Sequence, residues 1–407
     1  MLAAEKSSAA QHPWRELWLI TIGHGLTHWY PATFYLLLPL IGNELGLTYS
    51  QIGLIMTCQY IASAVANVPG GVVVDTVGRK GLLMGISLFW VGFPYLLIGF
   101  THSYPMLLVC IALVGFGNSL WHPTAIPTLG QRYPERKGLV LSVHGMGGNV
   151  GDAIAPLILG FALATFSWRE VVVINVLPGL VIALLMFAML GSIQLGARVT
   201  SGGSHGEGQS LGQYLEGLKG LLRNRALVLL STGSSFRTMT QSALLTFLPL
   251  YLAREMGYSP AWVGACLFAL QAAGFAAAPV AGHMSDRMGR KQILMGAMMT
   301  SAVILIFMAL AGGSPVFIFL VAVLGFFLYA TRPVIQAWML DITPKNMGGS
   351  SIGVLFGAQA LGAALGPWFG GMIADRYGIL ATFYFLAVTI VIANVLVFWT
   401  PMRAVER

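Results

Sequence analysis

Six ionisable side chains lie within long apolar stretches of this 407-residue chain. They are His24, His28, His122, Asp152, Arg237 and Arg332. A charge inside a membrane is costly, so such a group marks the path of a substrate or an ion by default. The guanidinium groups stay protonated and need an anion, and a phosphonate, phosphate or carboxylate would accept their forked hydrogen bonds. The histidines and the aspartate can change charge, which makes them candidates for proton coupling together with His144.

The same residues allow other interpretations. Arg237 or Arg332 could bond helix carbonyls or pair with Asp152 as a structural bridge, and each histidine could be a hydrogen-bonded packing residue. His24 and His28 are four positions apart and share a helix face, so with His122 they could bind a transition metal. The two arginines would repel such a cation, and we expect no bound metal or cofactor.

The apolar stretches predict an all-α integral membrane protein. Hydrophobic residues make up 57% of the chain and charged residues 9%, whereas soluble domains contain about 25% charged residues. Runs of about 20 apolar residues cross a bilayer as helices. We predict twelve spans, at residues 17–41, 50–74, 81–101, 104–130, 138–165, 170–194, 226–252, 260–284, 291–312, 315–340, 348–374 and 379–400. The three cysteines fall inside these runs and indicate packing rather than a disulfide or metal framework.

The loop charges predict which side of the membrane each end occupies. Lys and Arg concentrate in loops on the side of both termini, and only Arg169, Arg254 and Arg376 fall on the other side. The positive-inside rule therefore predicts cytoplasmic termini in a multi-pass protein of the bacterial inner membrane. The net charge of +8 is then a signal of topology rather than of nucleic-acid binding.

The chain contains an internal repeat. The pattern G-x-x-x-D-x-x-G-R-K occurs at residues 71–80 and at residues 282–291, which places Asp75 and Asp286 211 positions apart. Gly53 and Gly264 show the same separation. An even number of spans per half makes the two halves parallel, with a substrate site between them. The predicted organisation is a tail at 1–16, six-helix bundles at 17–194 and 226–400, a cytoplasmic linker at 195–225 and a tail at 401–407.

The repeated loop resembles the signature of the major facilitator superfamily, and the resemblance covers almost the whole chain. In that family the loop latches the halves in the outward-open state, which implies gating roles for Asp75, Arg79, Asp286 and Arg290. Span eleven, "GVLFGAQALGAALGPWFGG", resembles the exporter motif of the superfamily through Gly362, Gly366 and Pro367. Exporters carry this motif in span five, where Ala155 and Leu159 replace two glycines here.

The segment Gly115–Gly160 is similar to the fosmidomycin-resistance subfamily, whose members carry HP in span four and GGN in span five. In the superfamily, spans one, four, seven and ten line the central cavity, and they hold His24, His28, His122, Arg237 and Arg332. These residues and their polar or aromatic neighbours are the predicted substrate site. The neighbours are Tyr30, Asn118, Trp121, Gln271 and Gln336. The arginine of the familiar proton relay in span four is replaced by Ile111, so a histidine or Asp152 would have to serve instead.

These features predict a secondary transporter that works by alternating access, and no enzyme. The enzyme pattern H-E-x-x-H is absent from the sequence, as is the P-loop of ATPases. We expect a proton-coupled exporter of small organic anions or drugs such as phosphonates, with protons and lipid as its other partners, working as a monomer. An importer of an organic anion using the same pocket is the alternative, followed by a transition-metal transporter.

Overall fold

The computed structural model describes residues 13–77, 79–118, 120–190, 219–343 and 348–401. The chain there is helical. The helices are α1 (Pro13–Glu44), α2 (Tyr49–Thr76), α3 (Lys80–Ile98), α4 (Tyr104–Asn118), α5 (Trp121–Arg132), α6 (Lys137–Ala162), α7 (Trp168–Leu190), α8 (Arg225–Arg254), α9 (Pro260–Met288), α10 (Arg290–Ala311), α11 (Val316–Asp341), α12 (Gly348–Tyr377) and α13 (Ala381–Phe398). The predicted tails and linker fall largely outside the described residues.

The fold is that of an all-α membrane protein with twelve transmembrane helices in two six-helix repeats. Within the described residues, eight helices are long and apolar enough to cross a membrane by length and composition. Helices α1, α6 and α8 are not among the eight, and they carry His24, His28, Asp152 and Arg237.

The described parts of the fourth predicted span are helical. Helix α4 ends at Asn118 and α5 begins at Trp121, and residue 119 lies outside the described residues. In the second repeat, Pro333 lies inside a continuous α11.

Two faces of the bundle can be defined by their residues. The terminal face carries the beginning of α1 and the end of α13. There Arg132 pairs with Glu16 at 2.9 Å, and Lys291 donates to the carbonyl of Phe398 at 2.5 Å. At the opposite face, Glu44 accepts hydrogen bonds from the Trp168 indole at 2.6 Å and from Arg169 at 2.5 Å.

The two halves meet near the opposite face through symmetry-related contacts. A Cβ added to Gly53 would lie 2.1 Å from the carbonyl oxygen of Pro367, and one added to Gly264 would lie 2.2 Å from that of Pro156. Both residues of one contact are 211 positions from their counterparts in the other. The helices α2 and α12, and likewise α6 and α9, therefore pack backbone to backbone.

A hydrogen-bonded cap adds to this contact. The Asp375 carboxylate of α12 accepts the backbone N–H groups of Tyr49 at 2.8 Å and of Ser50 at 2.9 Å, at the start of α2. A carboxylate is stabilised there because it satisfies unpaired N–H groups at the positive end of the helix dipole. Asp375 therefore ties the C-terminal half to the N-terminal half at the opposite face.

Toward the terminal face the same helices have open space beside them. An added Cβ at Gly357 of α12, or at Gly282 of α9, would meet no atom within 4 Å. The predicted gating residues of the second repeat bond within their own half, since Arg290 pairs with Asp286 and with Asp341. Arg79 is exposed, and the side chain of Asp75 lies outside the described residues.

Candidate functional site

Four histidines and one aspartate predicted for proton coupling come together in the N-terminal half. His24 is central to this cluster. Its ring centroid lies 4.7 Å from that of His28, 4.9 Å from that of His122 and 4.0 Å from that of His144. Helices α1, α5 and α6 supply the rings, so residues far apart in sequence form one group.

Glycines of α6 bring this group together. A Cβ on Gly147 would lie 2.4 Å from the carbonyl oxygen of Thr21, and one on Gly151 would lie 2.1 Å from that of Gly25. Helix α6 therefore lies directly on the backbone of α1, as small residues permit in membrane helices. This close approach brings the His24 ring of α1 into contact with the His144 ring of α6.

The pair formed by His28 and Asp152 is the most clearly defined polar contact of the cluster. His28 Nδ1 lies 3.0 Å from Asp152 Oδ2, and the two side chains are 26% and 28% exposed. Partial exposure in the middle of long helices indicates that the pair borders the space between the halves. The sequence left open whether Asp152 binds an arginine, and its observed partner is a histidine.

The two predicted arginines occupy different environments in the C-terminal half. Arg237 is buried and donates to Thr331 Oγ1 at 2.8 Å, to Gln241 Oε1 at 2.5 Å and to the Leu328 carbonyl at 2.8 Å. It thus joins α8 to α11 and fits the structural interpretation that the sequence left open. The guanidinium also lies over the Tyr329 ring, 5.9 Å from its centroid.

Arg332, by contrast, is exposed on α11. Arg332 interacts electrostatically with His122 of the N-terminal half and with Arg237 of its own half. An anion beside Arg332 would offset the repulsion between the two guanidinium charges. Of the two predicted arginines, Arg332 is the one whose guanidinium is available to a ligand.

The remaining predicted site residues are dispersed. Tyr30 lies away from the cluster, because it is fully buried within the N-terminal half and packs against Tyr95. Trp121 is fully buried, and its indole lies parallel to the His24 ring with centroids 6.5 Å apart. Gln271 and Gln336 are partly buried on α9 and α11. The side chain of Asn118 lies outside the described residues.

The glycines of the span-eleven motif have a packing role. A Cβ on Gly362 would lie 2.0 Å from the carbonyl oxygen of Ser235, and one on Gly366 would lie 2.6 Å from that of Met239. Helix α12 therefore packs on α8 as α6 packs on α1. The carbonyl of Pro367, one residue on, contacts Gly53 of the other half.

The sequence interpretation missed two partners of Arg237, namely Gln241 and Thr331. Gln241 is one helical turn after Arg237, and that i, i+4 spacing was an available signal. Thr331 lies on another helix, and nothing local in the sequence marks it.

Comparison with known proteins decides the family. The model of the Major Facilitator Superfamily matches residues 17–277 and 230–407. The chain belongs to this superfamily. Like its other members, this superfamily protein handles small-molecule substrates across a membrane, it is a multi-pass protein of the bacterial inner membrane, and it is not an enzyme.

Individual relatives agree with this assignment. The chain is 27% identical over 368 residues to the hexuronate transporter of Bacillus subtilis, with 86% of this chain and 85% of the relative covered. It is 26% identical over 382 residues to the fosmidomycin resistance protein of Escherichia coli, with 93% and 90% covered, which confirms the predicted resemblance. The fold matches that of a bacterial homologue of the human lysosomal transporter Spinster, with a TM-score of 0.80, 17% identity and 97% and 98% of the two chains covered.

Proposed function

We propose that this superfamily member exports small organic anions, such as phosphonates, in exchange for protons. The observation that carries the proposal is the convergence of basic groups in the interior, with exposed Arg332 on α11 near His122 on α5. A carboxylate or phosphonate between the halves would pair with Arg332 and accept hydrogen bonds from protonated or neutral imidazoles. The names of two relatives support an anionic substrate, since hexuronates are carboxylates and fosmidomycin is a phosphonate.

The transport cycle that we propose is alternating access of the two six-helix bundles, 17–194 and 226–400, about the site between them. The terminal face is the cytoplasmic one, as the loop charges predict, so the described conformation opens inward. In the opposite state, the loops that carry Asp75, Arg79, Asp286 and Arg290 would latch the halves at the terminal face. The working unit is a single chain.

We assign the coupling proton to the Asp152 carboxylate. It lies on α6, is partly exposed and is held by His28 at 3.0 Å. Protonation of Asp152 removes a negative charge from the site and by charge alone favours binding of an anion nearby. Exchange requires the opposite linkage, in which the proton and the anion exclude each other, so in the proposed cycle Asp152 takes up the proton only in the anion-free state.

The test is intracellular accumulation of fosmidomycin in an efflux-deficient bacterial host. Expression of the chain is expected to lower accumulation, and a protonophore or Asp152→Asn is expected to abolish that effect. Arg332→Gln should abolish it as well, whereas Arg136→Gln, which removes an exposed arginine between α5 and α6, should not. Expression of each variant in the membrane is compared by immunoblotting.

Other outcomes contradict specific parts of the proposal. Higher accumulation would show import through the same pocket, and export that persists with a protonophore would remove proton coupling. If Arg332→Gln exports fosmidomycin as well as the original chain, the anion site lies elsewhere.

A further inference from the structure

Three histidines of the N-terminal half direct ring nitrogens toward one region. One nitrogen from each of His24, His122 and His144 lies within 4.8 Å of the other two. The three rings come from α1, α5 and α6, so the group is assembled by the fold and not by a local motif. Neutral imidazole nitrogens are ligands for zinc, copper and nickel.

The hydrogen bonds of His24 leave one nitrogen free to bind a ligand. His24 Nδ1 lies 2.6 Å from the backbone carbonyl of His144. A carbonyl can only accept, so Nδ1 carries the proton and Nε2 carries a lone pair. A backbone carbonyl that fixes the tautomer in this way is the usual support for a metal-bound histidine.

The lone-pair nitrogen and its neighbours have no other partner. His24 is 4% exposed and His144 is 3% exposed. Among the described residues, His24 Nε2 and both ring nitrogens of His144 are buried without a hydrogen-bond partner. Buried polar atoms in folded proteins are almost always satisfied, so these nitrogens are available to a ligand.

Gly148 of α6 lies against the His24 ring. A Cβ at this position would lie 2.7 Å from His24 Cε1 and 3.1 Å from His24 Nε2. Any larger residue would therefore press on the edge of the ring that carries the lone pair, so the glycine permits the ring to take this position.

We propose that His24, His122 and His144 bind one divalent transition-metal cation, for which Zn²⁺ is a suitable probe. Nitrogens bound tetrahedrally to zinc at about 2.0 Å are roughly 3.3 Å apart, so the rings must close by about 1.5 Å at most. His122 is exposed, so its ring has room to move. The rings of His24 and His144 are stacked with their centroids 4.0 Å apart, so one of them must also turn to direct its lone pair at the ion.

The ligand set differs from the one that sequence spacing suggested. His24 and His28 share a helix face, but His28 Nδ1 is bonded to Asp152 and stands outside the group of three. The Asp152 carboxylate, held at this distance, offsets part of the repulsion that Arg332 exerts on a cation near His122.

All three ligands belong to one half of the transporter. Rocking of the two halves as rigid bodies leaves the site intact, so the ion is a resident of the N-terminal half. Metal binding can therefore be measured without transport. If the chain binds no metal, the anion-export proposal is unaffected.

The experiment is a titration of the purified full chain in detergent, free of any histidine tag, with Co²⁺ followed by its d–d absorption and then with competing Zn²⁺. One ion per chain is expected. His24→Ala, His122→Ala and His144→Ala should each weaken binding at least about tenfold, the smallest cost that loss of a supporting group brings to a metal site. His283→Ala, which removes an exposed histidine of α9, is the matched control and should bind as the original chain does.

Several results would overturn the proposal. The first is absence of one-to-one binding by the original chain, a measurement that does not depend on how any variant folds. The second is an equal loss of affinity in His283→Ala. The third is a loss in His28→Ala as large as that in His144→Ala, because it would show the wrong ligand set. Size-exclusion profiles establish that each variant remains folded.

Discussion

At the scale of single residues, two arginines of the same half have opposite situations. Arg237 has three hydrogen bonds to its own half and is 3% exposed, whereas Arg332 is exposed. A guanidinium whose donors are committed to helix groups contributes mainly to stability, because breaking those bonds would leave buried partners unsatisfied. An exposed guanidinium keeps its donors for a ligand. The two residues should therefore affect different measurable quantities.

We expect Arg332→Gln to raise the KM for fosmidomycin transport about tenfold or more while the melting temperature stays nearly constant. A hydrogen bond to a charged group is worth about 1.5–3 kcal/mol, and about 1.4 kcal/mol is a factor of ten in affinity. Arg237→Gln should instead lower the melting temperature, since it removes the hydrogen bonds by which Arg237 of α8 holds Thr331 and the Leu328 carbonyl of α11. Arg237→Lys should not restore stability, because a point charge cannot replace the planar fork.

Transport kinetics in proteoliposomes and thermal unfolding in detergent separate the two effects. A large rise in KM with unchanged stability in Arg237→Gln would show that this arginine binds substrate directly.

The types of the site residues were predictable from the sequence, but their pairings were not. Charged residues in apolar stretches stand out without any structure, and this was enough to mark His28, Asp152 and Arg332 as candidates. The glycines of α6 let this helix lie directly on α1. This close packing allows Asp152 to pair with His28 and His144 to pack on His24. Such close approach follows from the complete packing of the bundle, which single residues do not reveal.

At the scale of helices, contacts that obey the internal symmetry close the opposite face. The contact of Gly53 with Pro367 has its counterpart in that of Gly264 with Pro156. A further pair of contacts, Gly371 with Tyr49 and Gly160 with Pro260, follows the same 211-residue separation. Each requires a glycine because an added Cβ would lie within about 2.6 Å of a carbonyl oxygen. The repeat seen in the sequence is therefore also a repeat of the seal between the halves.

We expect Gly53→Ala and Gly264→Ala to disfavour closure of the opposite face. An extra methyl group in a filled contact costs about 1–3 kcal/mol, which shifts a two-state equilibrium about fivefold or more. Gly296→Ala is the matched control, since Gly296 is an exposed residue of α10 and its Cβ would meet no atom within 4 Å. Distance distributions between spin labels on the two halves report the populations. Unchanged distributions in Gly53→Ala would show that the backbone contact does not limit closure.

The positions of the helices were predictable from the sequence. The predicted spans fall within the described helices or overlap most of their length, because long apolar runs leave little choice in a bilayer. Pro333 lies inside a continuous α11, so a proline does not by itself mark the end of a membrane helix.

At the scale of the whole molecule, closure at one face and space at the other define a single conformational state. Thr57 of α2 donates to the carbonyl of Ala364 on α12 at 2.6 Å and is 4% exposed. Gly357, two turns earlier on α12, is exposed and has open space beside it. The same helix therefore passes from the seal to the open interior, so one pair of positions can report which face is open.

We expect a cysteine at Gly357 to react with a membrane-impermeant maleimide applied from the cytoplasmic side, and a cysteine at Thr57 to be protected from either side. The native Cys58, Cys110 and Cys266 are first replaced by alanine, so that each substituted position is the only thiol. Inverted and right-side-out vesicles supply the two directions of access.

Substitution of Gly53 by alanine in the Thr57→Cys chain should then expose that thiol to reagent from the periplasmic side, because disfavouring the seal populates the outward-open state. Labelling of the Gly357→Cys chain from the cytoplasmic side should decrease in similar proportion to the gain at Thr57→Cys. One rigid-body motion closes one face as it opens the other. Labelling of Gly357→Cys from the periplasmic side in the original background would reverse the assigned orientation. Simultaneous reactivity at both positions would replace alternating access with a continuous channel.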